Sequence, residues 1–294
     1  MLTRQRDALN LSSSNGSTEA AHDIERGRTR PTISRLLLSI PDGVYTVVLI
    51  VTAMVFVEIA ARREWISPLI VPATSDVFQA LWNGFSRGLY WEHLSSTLSA
   101  MVAGFFLSAV VAISLAALLV SIPRLERINM PIIVAIQSLP KVAITPLVLI
   151  WVGFNFQAKI LIVAIVCFFP ILINTLQGLR SRDVAQVELM RSLGANRWQE
   201  LWRLRLPNAI PYIFAGLSIG IVFSLIGAVV AEFVGAPEGL GYMMLSAKAT
   251  YDIPGMYAIL LLLMIIGMTL QKLMSFLERR FAPWSMDVSD NAKP

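Results

Sequence analysis

Few residues able to make or break bonds occur in this sequence, and they lie far apart. The single cysteine, Cys167, sits inside an apolar block, so no intrachain disulfide is possible and packing is its simplest role. The two histidines, His22 and His93, have no cysteine or carboxylate cluster beside them, and no metal site is expected. The nearest approach to a phosphate loop, GFNFQAKI from Gly153 to Ile160, lacks the second glycine and the Ser/Thr of such loops. No catalytic residue is assigned, and ATP hydrolysis by this chain is not expected. Charge and shape remain, and they concentrate in ELMRSLGANRWQELWRLRLP, from Glu188 to Pro207. There Arg191, Arg197, Arg203 and Arg205 stand against Glu188 and Glu200. Two apolar stripes at helical spacing, Leu189/Met190/Leu193 and Trp198/Leu201/Trp202, flank Gly194, and Pro207 closes the run. The pattern predicts two short amphipathic helices hinged at a glycine, either a membrane-surface anchor or a docking element for a soluble partner.

The elements that must position this stretch are those of a membrane protein. Of 294 residues, 56% are hydrophobic and 15% charged, against about 25% charged in soluble domains. The apolar residues come in blocks long enough to cross a bilayer as helices, which need roughly 20 residues each. Six spans are expected, at about Asp42–Ala61, Leu94–Ile122, Asn129–Gly153, Ile160–Leu176, Ile210–Val234 and Met256–Leu277, in an all-α membrane protein. A connector with an amphipathic helix near Ser75–Leu89 follows the first. Residues 1–34 are polar and are expected to form a tail, 35–280 the membrane domain with its loop at about 186–207, and 281–294 a second tail. If both termini share one side, that side carries 18 of the 24 Lys and Arg residues, including all six between the fourth and fifth spans. The other side has five, and Lys141 falls within a span. Positive charge collects in the cytoplasm, so both termini and the Glu188–Pro207 stretch are expected there. The bias explains the basic composition without nucleic-acid binding.

The spacing of Glu188, Gly194 and Leu206-Pro207 resembles the EAA loop of binding-protein-dependent ABC importer permeases, with Leu189 and Met190 in place of the two alanines. LVLIWVG (147–153), FFPILIN (168–174), SLGANRW (192–198) and EFVGAPEGLGY (232–242) are similar to the branch that imports sulfonates, taurine, nitrate and thiamine precursors. The resemblance covers roughly residues 40 to 280. It implies a type I importer permease fold in the bacterial inner membrane, working as two copies. Two cytoplasmic ATPase subunits would bind ATP and Mg and dock on the loops, and a periplasmic or lipid-anchored binding protein would deliver the substrate. Under that reading Trp198, Leu201 and Trp202 form an apolar knob at the interface, where aromatic anchors dominate binding energy. Glu188, Arg191 and Arg197 set orientation, Gly194 permits a turn that a side chain would obstruct, and Leu206-Pro207 ends the loop.

Other positions invite a pathway role. Pro140 and Pro146 break the third span, and broken helices are tolerated only within protein or beside water. Gln137, Ser138, Pro140, Lys141 and Thr145 are therefore candidates to line a path. Lys141 would either attract an anionic substrate or cap carbonyls freed by the kink. Glu58 stands four residues before Arg62 and reads as a helix-surface ion pair. Glu232 ends the fifth span before a turn-rich segment; by resemblance Glu232, Glu238 and Gly241 belong to an outer gate and binding-protein contact. Trp65, Trp82, Trp91 and Tyr90 suit an interfacial aromatic belt beside membrane lipid.

Overall fold

A computed structural model describes residues 42–181 and 184–283. The expected tail at 1–34 and residues 284–294 of the second tail lie outside the described residues. Among those described there is no strand. The helices in order are α1 Asp42–Arg62, α2 Thr74–Ser86, α3 Leu89–Ser121, α4 Pro123–Gln137, α5 Thr145–Val152, α6 Phe156–Arg180, α7 Val184–Ser192, α8 Arg197–Glu200, α9 Leu206–Gly235, α10 Leu240–Ala249 and α11 Ile253–Phe281. A 3-10 turn at Lys141–Ile144 precedes α5, and a π-helical turn at Leu201–Arg205 joins α8 to α9. The chain divides into two compact units, residues 1–57 and 58–294. The first contributes most of α1; the second holds everything described below.

Among the described residues five helices, α1, α3, α6, α9 and α11, are long and apolar enough to span a bilayer. The pair α4 and α5, with the 3-10 turn between them, is bent by 82° and supplies a sixth if it crosses as one broken span. Helices α3 and α6, at 33 and 25 residues, reach about 50 and 37 Å and so project beyond a hydrocarbon core of about 30 Å. That is why α3 starts at Leu89 and α6 runs from Phe156 to Arg180, several residues outside the apolar blocks. A helix keeps its hydrogen-bond ladder after its side chains turn polar.

Prolines shape the bent span unequally. Pro131 lies inside α4 without ending it, whereas α4 stops at Gln137, three residues before Pro140. Pro140 has no N–H to continue a ladder and disfavours helical geometry in the residue before it. Pro146 sits in the first turn of α5, where a missing N–H costs nothing. Around these elements α6 is the central helix, packed most extensively against α9 and α3. Met101, Phe105 and Leu119 of α3, Ile171, Leu172 and Leu176 of α6, and Ile221 of α9 form the buried core. Close approach rests on small residues: a Cβ at Gly220 would lie 2.9 Å from the Ile171 side chain.

Candidate functional site

The charged loop is built by local sequence. Helix α7 ends in a Schellman motif, with Ala195 N donating to Met190 O and Gly194 N to Arg191 O, both at 3.0 Å. Gly194 takes φ +78°, and a Cβ there would meet nothing within 4 Å. The left-handed backbone, not crowding, demands glycine, which corrects the expectation that a side chain would obstruct the turn. Asn196 then caps α8: its side chain accepts from Gln199 N at 2.8 Å, and Gln199 Oε1 accepts from Asn196 N at 2.9 Å. The second helix does not stop at Pro207. Leu206 N donates to Leu201 O, five residues back, so the π-helical turn carries α8 directly into α9. Pro207 falls in the first turn of α9 and is absorbed there.

Glu200 is the electrostatic centre of this loop. It is 3% exposed, accepts from Arg205 Nε at 2.8 Å and pairs with Arg191 at 3.4 Å. Burial pushes its carboxyl pKa up, but the hydrogen bond and charge of Arg205, with Arg191, outweigh this and hold it below the usual range. A second ion pair, Arg180 Nε to Glu126 Oε1 at 2.6 Å, ties the end of α6 to α4. Arg191, Arg197, Arg205, Glu126 and Glu200 line a cavity of about 170 Å³. Outward, Leu189, Leu193, Trp198 and Trp202 are exposed, Leu193 at 76% and Trp198 at 65%. The two tryptophans meet edge to face at 5.5 Å. Glu188 and Arg197 are exposed beside them. Leu201 departs from the expected knob. It is 4% exposed and packs into the core, at the inward edge of the helical face that carries the two tryptophans.

A second cluster assembles at the other end of α9. Glu232 is 1% exposed and Lys159 of α6 is 3% exposed. Lys159 Nζ donates to Ser96 Oγ at 2.8 Å and to Glu238 O at 2.7 Å, and lies 3.7 Å from Glu232 Oε1. Thr97 donates to Glu232 Oε1 at 2.8 Å, and Ser96 donates to Glu238 Oε1 at 3.1 Å. Glu232, Glu238 and Gly241 are thus brought together. Lys159, Ser96, Thr97 and His93 were not singled out for it. Their partners are 63 to 146 positions away, and the one local signal is a lysine beside an apolar run.

The break in the bent span is more open. Gln137, Ser138 and Pro140 are exposed, and Lys141 Nζ donates to Gln137 O at 2.8 Å while lying 5.1 Å above the Phe169 ring. That geometry is the carbonyl cap. Thr145 is 1% exposed and its hydroxyl has no partner, so it faces the packed side of the kink. Glu58 accepts from Arg62 at 3.2 Å, the expected pair, and also from Ser75 N at 3.0 Å. Arg62 continues to Asp76 at 2.8 Å, fixing the start of α2. Trp65, Trp82 and Trp91 are exposed, but Tyr90 is buried edge to face against Phe85 and leaves the aromatic belt.

Comparison with known proteins gives one consistent picture. Residues 104–283 match the family model described as "Binding-protein-dependent transport system inner membrane component". The chain is 35% identical over 79% of its length to the riboflavin transport system permease protein RibX of Chloroflexus aurantiacus, covering 86% of that protein. It is 33% identical to the formylaminopyrimidine transport permease protein ThiX of Halalkalibacterium halodurans, over 79% of this chain and 92% of that one. The taurine transport system permease protein TauC of Escherichia coli is 31% identical, over 78% and 85%. Among solved structures, an inward-facing MetNI methionine ABC transporter aligns with a TM-score of 0.58 at 22% identity, over 66% of this chain and 98% of that one. That similarity speaks to the fold.

Proposed function

The chain belongs to the family of binding-protein-dependent transport system inner membrane components, and on that footing we propose that it couples a cytoplasmic ATPase to solute import through its Glu188–Pro207 loop. It is a multi-pass permease of the bacterial inner membrane, in a family whose members are permease subunits for small solutes. The observation that carries the coupling reading is the pairing of a rigid base with an unburied top. The loop is pinned beneath by Leu201 and the Glu200–Arg205 pair, while Leu189, Leu193, Trp198 and Trp202 project from it uncovered. A surface anchor needs no such rigid seat. A lever does, since motion passes only through an element that does not bend.

In the full arrangement both termini and this loop lie in the cytoplasm. Two copies of the chain flank the pathway, two ATPase subunits bind ATP and Mg, and a periplasmic or lipid-anchored binding protein supplies the solute. Gln137, Ser138 and Pro140 border the path at the break, with Lys141 holding the break open, and the cluster around Glu232, Glu238 and Gly241 forms the outer gate. Relatives named for riboflavin, formylaminopyrimidine and taurine support a small polar or anionic organic solute. Co-purification tests the coupling. Trp198→Ala/Trp202→Ala is expected to insert normally yet lose its ATPase subunit at least tenfold, because interface aromatics are worth about 2 kcal/mol or more each. Full ATPase recovery with that variant, together with wild-type uptake, would sink the proposal.

A further inference from the structure

Three consecutive N–H groups open α10, and all three bond to side chains of other helices. Gly239 N donates to His93 Nδ1 at 3.1 Å, Leu240 N to Thr97 Oγ1 at 2.8 Å, and Gly241 N to Glu232 Oε2 at 2.8 Å. The first N–H groups of a helix have no partner within it and carry partial positive charge. Here the charged acceptor is Glu232 of α9, and Lys159 of α6 balances it. Four helices therefore close one set of hydrogen bonds. The three protons of Lys159 face three acceptors, Ser96 Oγ, Glu238 O and Glu232 Oε1.

Such a set behaves as a unit. Withdrawing one member leaves a charge buried without its partner, at a cost of several kcal/mol, so partial opening is unfavourable. The segment it clasps has turning points at both ends, since Gly235 at φ +155° and Gly239 at φ +125° bracket residues 236–238. A small void of about 50 Å³, lined by Leu149, Phe154, Lys159 and Pro237, lies against the segment. A clasp of this kind beside two turning points has the make-up of a two-state element, and in some proteins buried ionic groups serve to fix conformation.

We propose that Lys159, Ser96, Thr97 and Glu232 form a latch that holds the start of α10 against α3 and α6, opening and reclosing once in each transport cycle. The proposal rests on the reading of this segment as the outer gate. Lys159 is a positioning residue: it acts through Glu232 and the backbone of residue 238.

Cross-linking separates a moving latch from a fixed joint. Thr97→Cys/Leu240→Cys puts one sulfur in place of the Thr97 hydroxyl and the other on the residue whose amide that hydroxyl meets, and oxidation joins α3 to α10. The complete transporter, with its ATPase and binding protein, is reconstituted in proteoliposomes and read by binding-protein-stimulated ATP hydrolysis. Oxidation is expected to lower the stimulated rate at least tenfold, and a thiol reductant to restore it. An unchanged rate after verified cross-linking overturns the latch. A second measurement needs no ATPase. Leu240→Cys, buried in this state, is labelled in membranes by an impermeant maleimide; Cys167 is buried and stays silent. Adding Lys159→Met/Glu232→Gln removes both charges together and is expected to speed labelling about tenfold or more, as losing charge-assisted bonds implies. No acceleration overturns the latch. Acceleration seen only from the cytoplasmic side supports the latch and overturns the proposed membrane orientation instead.

Discussion

Gly194 and Gly239 share the left-handed half of backbone space but are required for different reasons. At Gly194 an added Cβ meets nothing within 4 Å, so Gly194→Ala carries only conformational strain, about 1–2 kcal/mol. At Gly239 the added Cβ would fall on the Glu232 carboxylate, 2.1 Å from its oxygen, and the buried ion pair would have to part. Purified in detergent, Gly194→Ala is expected to melt a few degrees below the parent and Gly239→Ala far lower, or not to accumulate. Equal melting temperatures would remove the distinction. Glu200 gives a pH signature at the same scale. Its folded pKa is depressed, so its contribution is complete above the unfolded value of about 4.3 and is lost as pH falls through the folded value. Glu200→Gln is expected to lower the melting temperature at pH 7, leaving Arg205 half-buried without its anion, at a cost of about 3 kcal/mol. The gap between variant and parent should then narrow as the pH is taken below 4. A gap independent of pH would show that Glu200 acts by shape alone.

At the scale of elements, the spans were legible because a bilayer imposes a length of apolar sequence, and the break was legible because Pro140 cannot continue a ladder. The joint between α8 and α9 was not. Pro207 looked like a terminator, and only the five-residue step from Leu206 to Leu201 lets the helix pass through it. Leu201 was misassigned with it: a stripe of helical spacing shows which residues share a side, but Trp198 and Trp202 point outward while Leu201 is sealed beneath. The cluster around Glu232 was half readable. Glu232 announced itself as a carboxylate at a span's end, whereas Lys159 resembled any interfacial lysine until folding brought α6 beside α3. Lys141 shows how two readings of one residue separate. Its ammonium is bonded to the Gln137 carbonyl, which Gln at 141 can still serve as a donor. Lys141→Gln is therefore expected to leave uptake kinetics within about twofold, while Lys141→Met loses the cap and lowers the maximal rate. A Michaelis constant that rises in Lys141→Gln for anionic solutes only would return the residue to substrate contact.

For the molecule as a whole, the surface of a single chain poses a problem that a second copy would resolve. Gln137, Ser138 and Pro140 are exposed at the break of the bent span, where α4 ends and its hydrogen-bond ladder stops. In hydrocarbon each unsatisfied polar group costs several kcal/mol, so such a face is tolerated only beside protein or water. One chain leaves it uncovered, and its positively charged loop sits at the far end of another span. Two copies facing each other across the break would enclose it and give each ATPase subunit its own loop. Ser138→Cys tests this with a short bifunctional maleimide in native membranes, since the buried Cys167 does not compete. A cross-linked species at twice the 32.5 kDa chain mass is expected. It should persist when the labelled chain is diluted with excess lipid before reaction, because a functional pair is not formed by crowding. Only single-chain mass at every dilution would mean that no second copy covers the break.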